Sequence, residues 1–237
     1  MQAVILAGGL GTRLRPLTNT IPKPMVKVCG RPFLEYIIEA LKKNDIADIL
    51  LLSGFLGEVI EEHFGDGSKF GVHINYSKES EPLGVSGALR LAYPKLTNSF
   101  LLLYGDSFLP LNYRELSHFF NESKKQAVVV AYQYKNETDR GDDYPHNLLV
   151  DETGHVIGYK QHGIEGGTHA EGGAMVFKKE VVALLPDERS NALGEALFPD
   201  LIRQKELITY VSQNRFLDIG TPERLKKAEA FLRDNKL

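Results

Sequence analysis

The chain has one cysteine, Cys29, among its 237 residues, and no long apolar run. A single thiol excludes an intrachain disulfide and a cysteine-based zinc site. A membrane-spanning helix needs about 20 apolar residues, and no stretch approaches that length. The first apolar run, residues 3–7, is too short for the core of a secretory signal and has no charged segment before it. We therefore expect a cytoplasmic protein without a membrane partner.

The chain also lacks an excess of basic residues. Its 28 Lys and Arg stand against 31 Asp and Glu, so the formal net charge is −3 and the pI is near 6.2. Binding to nucleic acid usually needs a basic surface, and we expect no nucleic-acid partner. This overall charge is still compatible with a local cationic pocket.

Cations are concentrated near the start of the chain, where no acidic residue occurs between Met1 and Phe33. The apolar run 3–7 predicts a buried strand, and three glycines follow it. Glycine lets the backbone approach an anion and exposes its N–H donors, while Arg and Lys supply positive charge. This combination predicts a phosphate-binding loop with the glycines Gly8, Gly9 and Gly11 and the cations Arg13, Arg15 and Lys23.

The loop matches neither common nucleotide fingerprint. Gly9-Leu10-Gly11 is followed by Arg13 and Leu14 rather than by the third glycine of G-x-G-x-x-G, and no G-K-[S/T] closes a P-loop. The alternative is a tight turn with surface arginines. The crowding of glycines and cations favours phosphate binding, as does the pair of prolines that stiffens the chain around Lys23.

Apolar strand-like runs alternate with segments of helical spacing, which is typical of a mostly parallel sheet covered on both faces. We predict an α/β fold, Rossmann-like, with a mostly parallel but mixed central sheet and helices on both faces, in a single domain of residues 1–237. Residues 139–145 predict a mobile loop and residues 151–154 a hairpin turn. Strands are predicted at 3–7, 49–52, 72–76, 100–104, 127–132, 148–150, 156–159, 174–177 and 207–211, and helices at 32–43, 57–64, 85–93, 113–123, 194–204 and 222–234.

Two aspartates end apolar stretches at turns, and ligands of open α/β sheets bind beyond the carboxyl ends of the strands. Asp106 follows the run 100–104 and a glycine, and Asp218 ends another apolar stretch. Carboxylates in such positions suit Mg²⁺ beside phosphates. Each could instead cap a turn or helix, although Thr221 is better placed than Asp218 to cap the helix that begins near Pro222.

Two further segments carry weaker signals. Residues 81–87 lead into a helix, and their glycines allow a flat ligand such as a base to approach the backbone, with an ordinary loop as an equal alternative. Lys160 ends a strand and could bind a second anion, and the turn Glu171–Gly173 could line a polyol pocket. From the local residues alone, a purely structural role is favoured for both. The histidines show no regular metal-ligand spacing.

In their order along the chain these motifs resemble one protein family. Residues 6–14 (LAGGLGTRL) and 22–25 (PKPM) are similar to the signature of the sugar-1-phosphate nucleotidyltransferases, also called nucleotide-sugar pyrophosphorylases. Residues 81–84 (EPLG), 105–106 (GD) and 218–222 (DIGTP) resemble that family's later motifs. The match covers nearly the whole chain, which looks like the minimal catalytic domain, without the β-helix extension of some relatives.

The resemblance implies a reaction between an NTP and a sugar 1-phosphate, with Mg²⁺ as cofactor. The nucleotide-binding part would cover about residues 1–110 and the sugar-phosphate part about residues 111–237. Arg13 and Lys23 would be catalytic, and Asp106 and Asp218 would bind Mg²⁺. The nucleotide would contact Leu6, Ala7, Gly8, Gly9, Gly11, Thr12, Glu81, Pro82, Gly84 and Gly87, and the sugar phosphate would contact Lys160, Glu171, Gly172 and Gly173.

Two positions depart from the family's pattern. Tyr104 stands where many relatives have Asn, and Tyr159 stands where many have Glu before the lysine. The EPLG form resembles the guanylyl and uridylyl branches. Among small relatives the chain is most similar to heptose- and mannose-1-phosphate guanylyltransferases and to the N-acetylmuramate-1-phosphate uridylyl type. GTP is therefore expected, with UTP, CTP or dTTP as alternatives.

Two other classes of protein are considered. A glycosyltransferase of related fold would use an Asp-x-Asp motif, but Asp106-Ser107-Phe108 lacks the second acid. A non-catalytic nucleotide-sugar sensor would not need the two cations and the two carboxylates. Both a monomer and a homodimer remain compatible with the sequence.

Overall fold

The elements come from a computed structural model that describes residues 1–133, 144–186, 190, 192–214 and 216–235. The strands are β1 (Gln2–Leu6), β2 (Lys27–Val28), β3 (Arg31–Pro32), β4 (Asp48–Ser53), β5 (His73–Lys78), β6 (Ser99–Tyr104), β7 (Ser107–Phe108), β8 (Ala127–Tyr132), β9 (Leu148–Val150), β10 (Val156–Tyr159), β11 (Ala170–Lys178), β12 (Leu207–Ser212) and β13 (Leu217–Asp218). The α-helices are α1 (Phe33–Lys43), α2 (Gly57–Phe64), α3 (Gly84–Ala92), α4 (Tyr113–Ser123), α5 (Leu193–Arg203) and α6 (Pro222–Asp234). Short 3-10 helices cover Thr12–Leu14, Leu17–Asn19, Lys23–Met25, Ser68–Phe70, Tyr93–Lys95 and Lys179–Leu184.

Seven strands form the central sheet, in the order β12-β8-β11-β6-β1-β4-β5. Neighbouring strands are parallel except around β11, which runs antiparallel to both β6 and β8. This confirms the predicted α/β fold with its mostly parallel, mixed sheet in a single domain. Every strand and helix predicted from the sequence is present, with small differences at the ends.

Alternate residues of the central strands point to opposite faces of the sheet, and each face is covered by helices. Ile5 and Leu51 pack in one core with α1, α2, α4 and α6. Val4 and Leu50 pack in a second core with α3 and α5. Strands buried on both faces need apolar residues at every position, and this is why they stand out as continuous apolar runs.

The strand order reverses at β1. From β1 the chain adds β4 and β5 on one side, and then returns to place β6 on the other side. The loops that follow β1 and β6 therefore leave the carboxyl edge of the sheet side by side, and the Gly105 N–H donates to the Leu6 carbonyl at 2.9 Å. Open α/β sheets bind ligands at such a reversal point.

The second half of the chain adds a hairpin and the antiparallel strand. β9 and β10 pair antiparallel around the predicted turn, where Asp151 Oδ1 accepts the backbone N–H groups of Thr153 and His155 at 2.9 and 3.0 Å. Of the predicted loop 139–145, residues 139–143 lie outside the described residues. Across the described part of the chain, no helix combines the length and apolar character needed to cross a membrane.

The prediction of a turn at Glu171–Gly173 was wrong, because these residues belong to β11, which begins at Ala170. The pairing with β8 changes register between Glu171 and Met175, and Gly173 has a φ of +73°. Such a β-bulge accepts glycine inside a strand and redirects the side chains beside it. The glycines that suggested a turn therefore mark a bulge.

Candidate active site

The glycine-rich segment after β1 forms one wall of a cleft of ≈ 500 Å³. Gly11 has a φ of +60°, and a Cβ built on it would lie 3.0 Å from Thr18 Cγ2 and 3.2 Å from Lys23 Cβ. Thr18 Oγ1 donates to the Gly11 carbonyl at 2.7 Å. Glycine at this position therefore lets the loop close onto Thr18 and Lys23. The predicted residues of the loop that line the cleft are Leu6, Ala7, Gly8, Gly9, Gly11, Thr12, Arg13 and Lys23.

Lys23 is buried, with 9% of its surface exposed, and its ammonium group forms an ion pair with Asp106. Close packing of two loops produces this pairing. A Cβ built on Gly105 would lie 2.9 Å from the Leu6 carbonyl oxygen and 3.1 Å from Pro24 Cγ. Because Gly105 has no side chain, the loop after β6 can reach the loop after β1, and Asp106 meets Lys23.

A small two-stranded ribbon brings the two predicted carboxylates together. β13 pairs antiparallel with β7, so Asp218 lies opposite Ser107. The Ile219 N–H also donates to the Asp106 carbonyl at 3.0 Å. Asp106 and Asp218 come from distant parts of the chain, yet their backbones are adjacent beside the phosphate-binding loop.

Gly220 marks the point at which these groups converge. A Cβ built on Gly220 would lie 2.6 Å from Asp218 Oδ1, 3.4 Å from Arg13 Nη2 and 3.6 Å from Lys23 Nζ. Gly220 itself lines the cleft. Two cations and a carboxylate thus surround one glycine, and the Lys23 ion pair connects Asp106 to the same group.

Asp218 has several partners of its own. It is buried, with 8% of its surface exposed, and it accepts hydrogen bonds from the Gly220 N–H at 2.6 Å, from Arg224 Nη1 at 2.9 Å and from the Tyr144 hydroxyl. Thr221 caps α6, as predicted, by accepting the Arg224 N–H at 3.3 Å. Asp218 is therefore not the cap of α6, but it is held in a network of hydrogen bonds.

The carboxylate pair is compatible with Mg²⁺. This ion is commonly bound by one or two carboxylates together with substrate phosphates and water. Among the described residues, no group of three or more His, Cys, Asp and Glu side chains could hold a metal ion. A metal at this site would therefore depend on Asp106, Asp218 and oxygen atoms of the substrate.

The end of the cleft at the start of α3 is lined mainly by apolar residues. Pro82, Gly84, Val85 and Ala88 line it at the start of α3, and Leu52 lines it from the sheet. Of the residues predicted for this end, Pro82 and Gly84 are in place. Glu81 is exposed and Gly87 lies against Leu83, where a Cβ would be 2.6 Å from Leu83 Cβ, and both are outside the lining. Their binding roles stay predictions.

Glu79 is a charged lining residue that the sequence reasoning missed, along with uncharged lining residues such as Leu52, Tyr104 and Gly220. Its Oε1 would lie 3.0 Å from a Cβ on Gly8 and 2.5 Å from one on Gly54, and its Oε2 accepts the Leu83 N–H at 3.0 Å. It reaches the cleft beside the phosphate-binding loop. Glu79 directly follows β5, which ends at Lys78. The strand predicted from the sequence ends at residue 76, so the rule that selected Asp106, a residue just after a strand, did not reach Glu79.

A second cleft of ≈ 330 Å³ adjoins the first. Arg13 and Tyr104 line both clefts. Of the residues predicted for the sugar phosphate, Glu171 and Gly173 line the second cleft. Lys160 is exposed and Gly172 is buried against Val130, and neither belongs to the described lining, so their roles stay predictions.

Burial changes the pKa values of three side chains that line the second cleft. It raises the pKa of Glu171 to about 7, although a hydrogen bond from Tyr159 acts in the opposite direction. Burial, together with the charge of Glu171, also raises the pKa of Tyr104 and of Tyr159. Both phenols therefore stay protonated near neutral pH and act as hydrogen-bond donors.

Comparison with known proteins agrees with this geometry. A family model described as Nucleotidyl transferase matches residues 2–235. The chain is 30% identical to D-glycero-alpha-D-manno-heptose 1-phosphate guanylyltransferase of Aneurinibacillus thermoaerophilus over 97% of each protein. It is 34% identical to the protein of that name from Campylobacter jejuni, over 94% of this chain and 96% of the relative. The crystal structure of HddC from Yersinia pseudotuberculosis is similar with a TM-score of 0.81 and 26% identity, covering 98% of this chain and 99% of the other.

Proposed function

Since the chain belongs to the nucleotidyl transferase family, we propose that it transfers a guanylyl group from GTP to a heptose 1-phosphate, giving a GDP-heptose and pyrophosphate. Mannose 1-phosphate is the second acceptor considered. The observation that carries this proposal is the convergence of Arg13, Lys23 and Asp218 on Gly220, at the edge of two adjoining clefts. We place the reaction in the cytoplasm, where NTPs are available.

Both reactants are anions that must approach each other. An oxygen of the sugar phosphate forms a bond to the α-phosphorus of GTP, and the bond from that phosphorus to the bridging oxygen of pyrophosphate breaks. A phosphate monoester is itself an adequate nucleophile, so no side-chain nucleophile or covalent enzyme intermediate is needed. The protein contributes alignment and relief of charge repulsion.

Arg13 and Lys23 divide this task according to their chemistry. The Arg13 guanidinium can donate to two phosphate oxygens at once, and its place in the lining of both clefts supports a role between the two reactants. Lys23 is a compact charge, buried beside Asp106. Mg²⁺, which Asp106 and Asp218 would bind, would supply further neutralisation of phosphate charge.

GTP is proposed over other nucleotides for two reasons. The relatives compared above bear the name of guanylyltransferases. In addition, Glu79 places a carboxylate in the lining of the cleft, beside Gly8 and Gly54 and four residues before Leu83 at the start of α3. An ionised carboxylate accepts hydrogen bonds and donates none. Guanine presents two adjacent N–H donors on its pairing edge, whereas uracil and thymine present one, so a carboxylate matches guanine better.

The test is a pyrophosphate-release screen of GTP, UTP, CTP and dTTP against heptose, mannose and glucose 1-phosphates, with mass spectrometry of the product. We expect GTP with a heptose 1-phosphate to give the highest kcat/KM. Turnover with UTP or dTTP and not with GTP would refute guanylyl transfer. Nucleotide-sugar binding without pyrophosphate release in any combination would favour a sensor instead.

A further inference from the structure

Each of the two candidate metal ligands pairs with a cation of the protein, but only one of these cations lines a described cleft. Asp106 pairs with Lys23, which lines the first cleft. Asp218 pairs with Arg224, whose Nη1 lies 2.9 Å from Asp218 Oδ2. Arg224 belongs to the described lining of neither cleft. Arg224 therefore reaches the site through Asp218.

The place of Arg224 in α6 is not one that a helix favours for a cation. Arg224 lies in the first turn, where the helix dipole stabilises anions. Its backbone N–H donates to the cap, Thr221 Oγ1, at 3.3 Å, and its side chain is 20% exposed. Since α6 gains nothing from a cation at this end, the contact with Asp218 is what stabilises the guanidinium in this position.

Tyr144 completes a set of three side chains that all contact one another. Its hydroxyl donates to Asp218 Oδ2, and the Arg224 Cζ lies 4.4 Å from the centroid of its ring. The ring also packs against Phe216, with 4.3 Å between the two centroids. A guanidinium that stacks on an aromatic ring while it donates to a carboxylate is fixed in two directions. Arg224 and Tyr144 thus form a clamp on the Asp218 carboxylate.

The clamp gives the two oxygens of Asp218 different surroundings. Oδ2 accepts hydrogen bonds from both members of the clamp, and an ionised carboxylate oxygen accepts about two, so Oδ2 is filled. From the described residues, Oδ1 accepts the Gly220 N–H at 2.6 Å, which leaves it room for one further partner. Oδ1 also lies beside the Cβ position of Gly220, where Arg13 and Lys23 converge. The open oxygen is therefore the one beside the phosphate site.

We propose that Arg224 and Tyr144 are positioning residues for Asp218, which hold its carboxylate so that Oδ1 alone is presented to Mg²⁺ beside the phosphates. This inference rests on the proposed function and on its Mg²⁺ cofactor. Side chains that hydrogen-bond a metal-binding group orient it, and their loss typically weakens metal binding by about ten- to a hundredfold. The Asp106 side chain is 31% exposed and that of Asp218 is 9% exposed, so Asp218 is the fixed member of the pair.

The experiment measures the dissociation constant of GTP by isothermal titration calorimetry, once with EDTA and once with saturating Mg²⁺. Sugar phosphate is left out, so no turnover occurs. The ratio of the two constants is the gain in GTP affinity that Mg²⁺ provides. The variants are Arg224→Met, Arg224→Lys and Tyr144→Phe. Arg233→Met is the matched control, because Arg233 is an exposed arginine of the same helix that pairs with Glu229 at 3.3 Å.

We expect Arg224→Met to reduce the Mg²⁺ gain by about tenfold or more and to keep the GTP affinity in EDTA close to that of the wild type, which also shows that the variant is folded. Arg224→Lys keeps the charge but loses the planar fork that stacks and donates, so its loss should be intermediate. Tyr144→Phe loses only a neutral donor, which is weaker than a charged one, and should reduce the gain less than Arg224→Met. Arg233→Met should match the wild type.

A double-mutant cycle with Asp218→Asn separates positioning from a general effect of charge. The Asp218→Asn background keeps Asp106 as a ligand, so a Mg²⁺ gain remains to be measured. If Arg224 acts through Asp218, Arg224→Met should reduce the gain in the wild-type background and have no further effect in this one. Equal reductions in both backgrounds would overturn the inference. A larger gain in Arg224→Met would also overturn it, because the arginine would then compete with Mg²⁺ for Asp218.

Failure of the inference can be told apart from failure of the proposed function. A wild-type protein that releases no pyrophosphate in the substrate screen would refute the proposed function and this inference together. An active protein with equal GTP affinity in EDTA and in Mg²⁺ would refute the metal site on which the inference rests. An active protein whose Mg²⁺ gain is unchanged in Arg224→Met would refute the inference alone.

Discussion

Arg13 and Arg15 carry the same guanidinium group, so only their positions in the structure distinguish them. Both follow the glycines of the first loop and both are exposed, but Arg13 Nη2 lies beside Gly220 and its side chain lines both clefts. Arg15 belongs to neither described lining. The two arginines are separated by one residue, and only the path of the 3-10 turn at Thr12–Leu14 decides which one reaches the substrates.

Arg13→Ala should lower kcat/KM by at least about a hundredfold, as expected when a preorganised donor to a developing charge is removed. The melting temperature should stay close to that of the wild type, because Arg13 is outside both cores. Pyrophosphate release and a thermal melt give the two readings. Arg15→Ala is the matched control and should keep its turnover. Full activity in Arg13→Ala would remove Arg13 from the mechanism.

Asp106→Asn should raise the Mg²⁺ concentration for half-maximal activity by about tenfold or more, the effect typical of a damaged metal site. Asparagine keeps the shape of the side chain but loses the charge that binds the ion. A Mg²⁺ titration of initial rates measures the change. Asp66→Asn, at an exposed carboxylate that accepts the Ser68 N–H at 3.0 Å, is the control. A superimposable titration for Asp106→Asn would exclude Asp106 as a ligand.

Glu79→Gln should lower kcat/KM for GTP by about ten- to a hundredfold, the loss expected when a bidentate contact to a base edge is broken. The amide offers one donor and one acceptor, so the preference for GTP over UTP should also narrow. Glu81→Gln is the direct comparison, because the sequence assigns the base contact to Glu81 and the structure places Glu79 in the cleft. If the preference for GTP over UTP changed in Glu81→Gln and not in Glu79→Gln, Glu81 would be favoured as the residue that contacts the base.

At the scale of elements, short pieces of structure decide the site. The strands of the central sheet were predictable because each is a run of buried apolar residues. β7 and β13 are two residues long, too short for any periodic pattern, yet their pairing brings Asp106 beside Asp218. The bulge in β11 was also missed, since glycines read from sequence indicate a turn as readily as a bulge.

Gly105→Ala should destabilise the protein by about 1–3 kcal/mol, the cost typical of overpacking, and should lower kcat. The added Cβ would meet the Leu6 carbonyl oxygen at 2.9 Å, and a backbone atom cannot turn aside as a side chain can. Urea unfolding and initial rates measure the two effects. The stability control is Gly9→Ala, where a Cβ would meet nothing within 4 Å and stability should be retained. Wild-type stability and turnover in Gly105→Ala would show that the two loops tolerate separation.

At the scale of the whole molecule, the two predicted parts of the chain share one sheet. β11, from the second part, lies between β6 and β8, and both apolar cores contain residues from each part. The phosphate site lies mainly in residues 1–110, but Gly220 completes its lining. The division at about residue 110 stays a prediction about ligand contacts, while the sheet crosses that boundary.

Unfolding of the full chain in urea should therefore occur in one transition, seen together by far-UV circular dichroism and by tyrosine fluorescence. A shared sheet couples the two cores, and coincident transitions are the expected sign of such coupling. A calorimetric enthalpy equal to the van't Hoff enthalpy would be a second reading. Two separate transitions would show that residues 1–110 and 111–237 unfold independently.

The sequence by itself determined the order of strands and helices, the family, the phosphate-binding loop and the candidate carboxylates, because these depend on composition and on patterns between near neighbours. The tertiary structure decided which of the candidates meet. In the tertiary structure Lys23 forms an ion pair with Asp106, and Arg13 lies beside Gly220. Glu81 is exposed, whereas Glu79 lines the cleft. These contacts join residues far apart in the chain, and they depend on strand order, on a two-residue ribbon and on glycines that allow close approach, none of which leaves a local pattern.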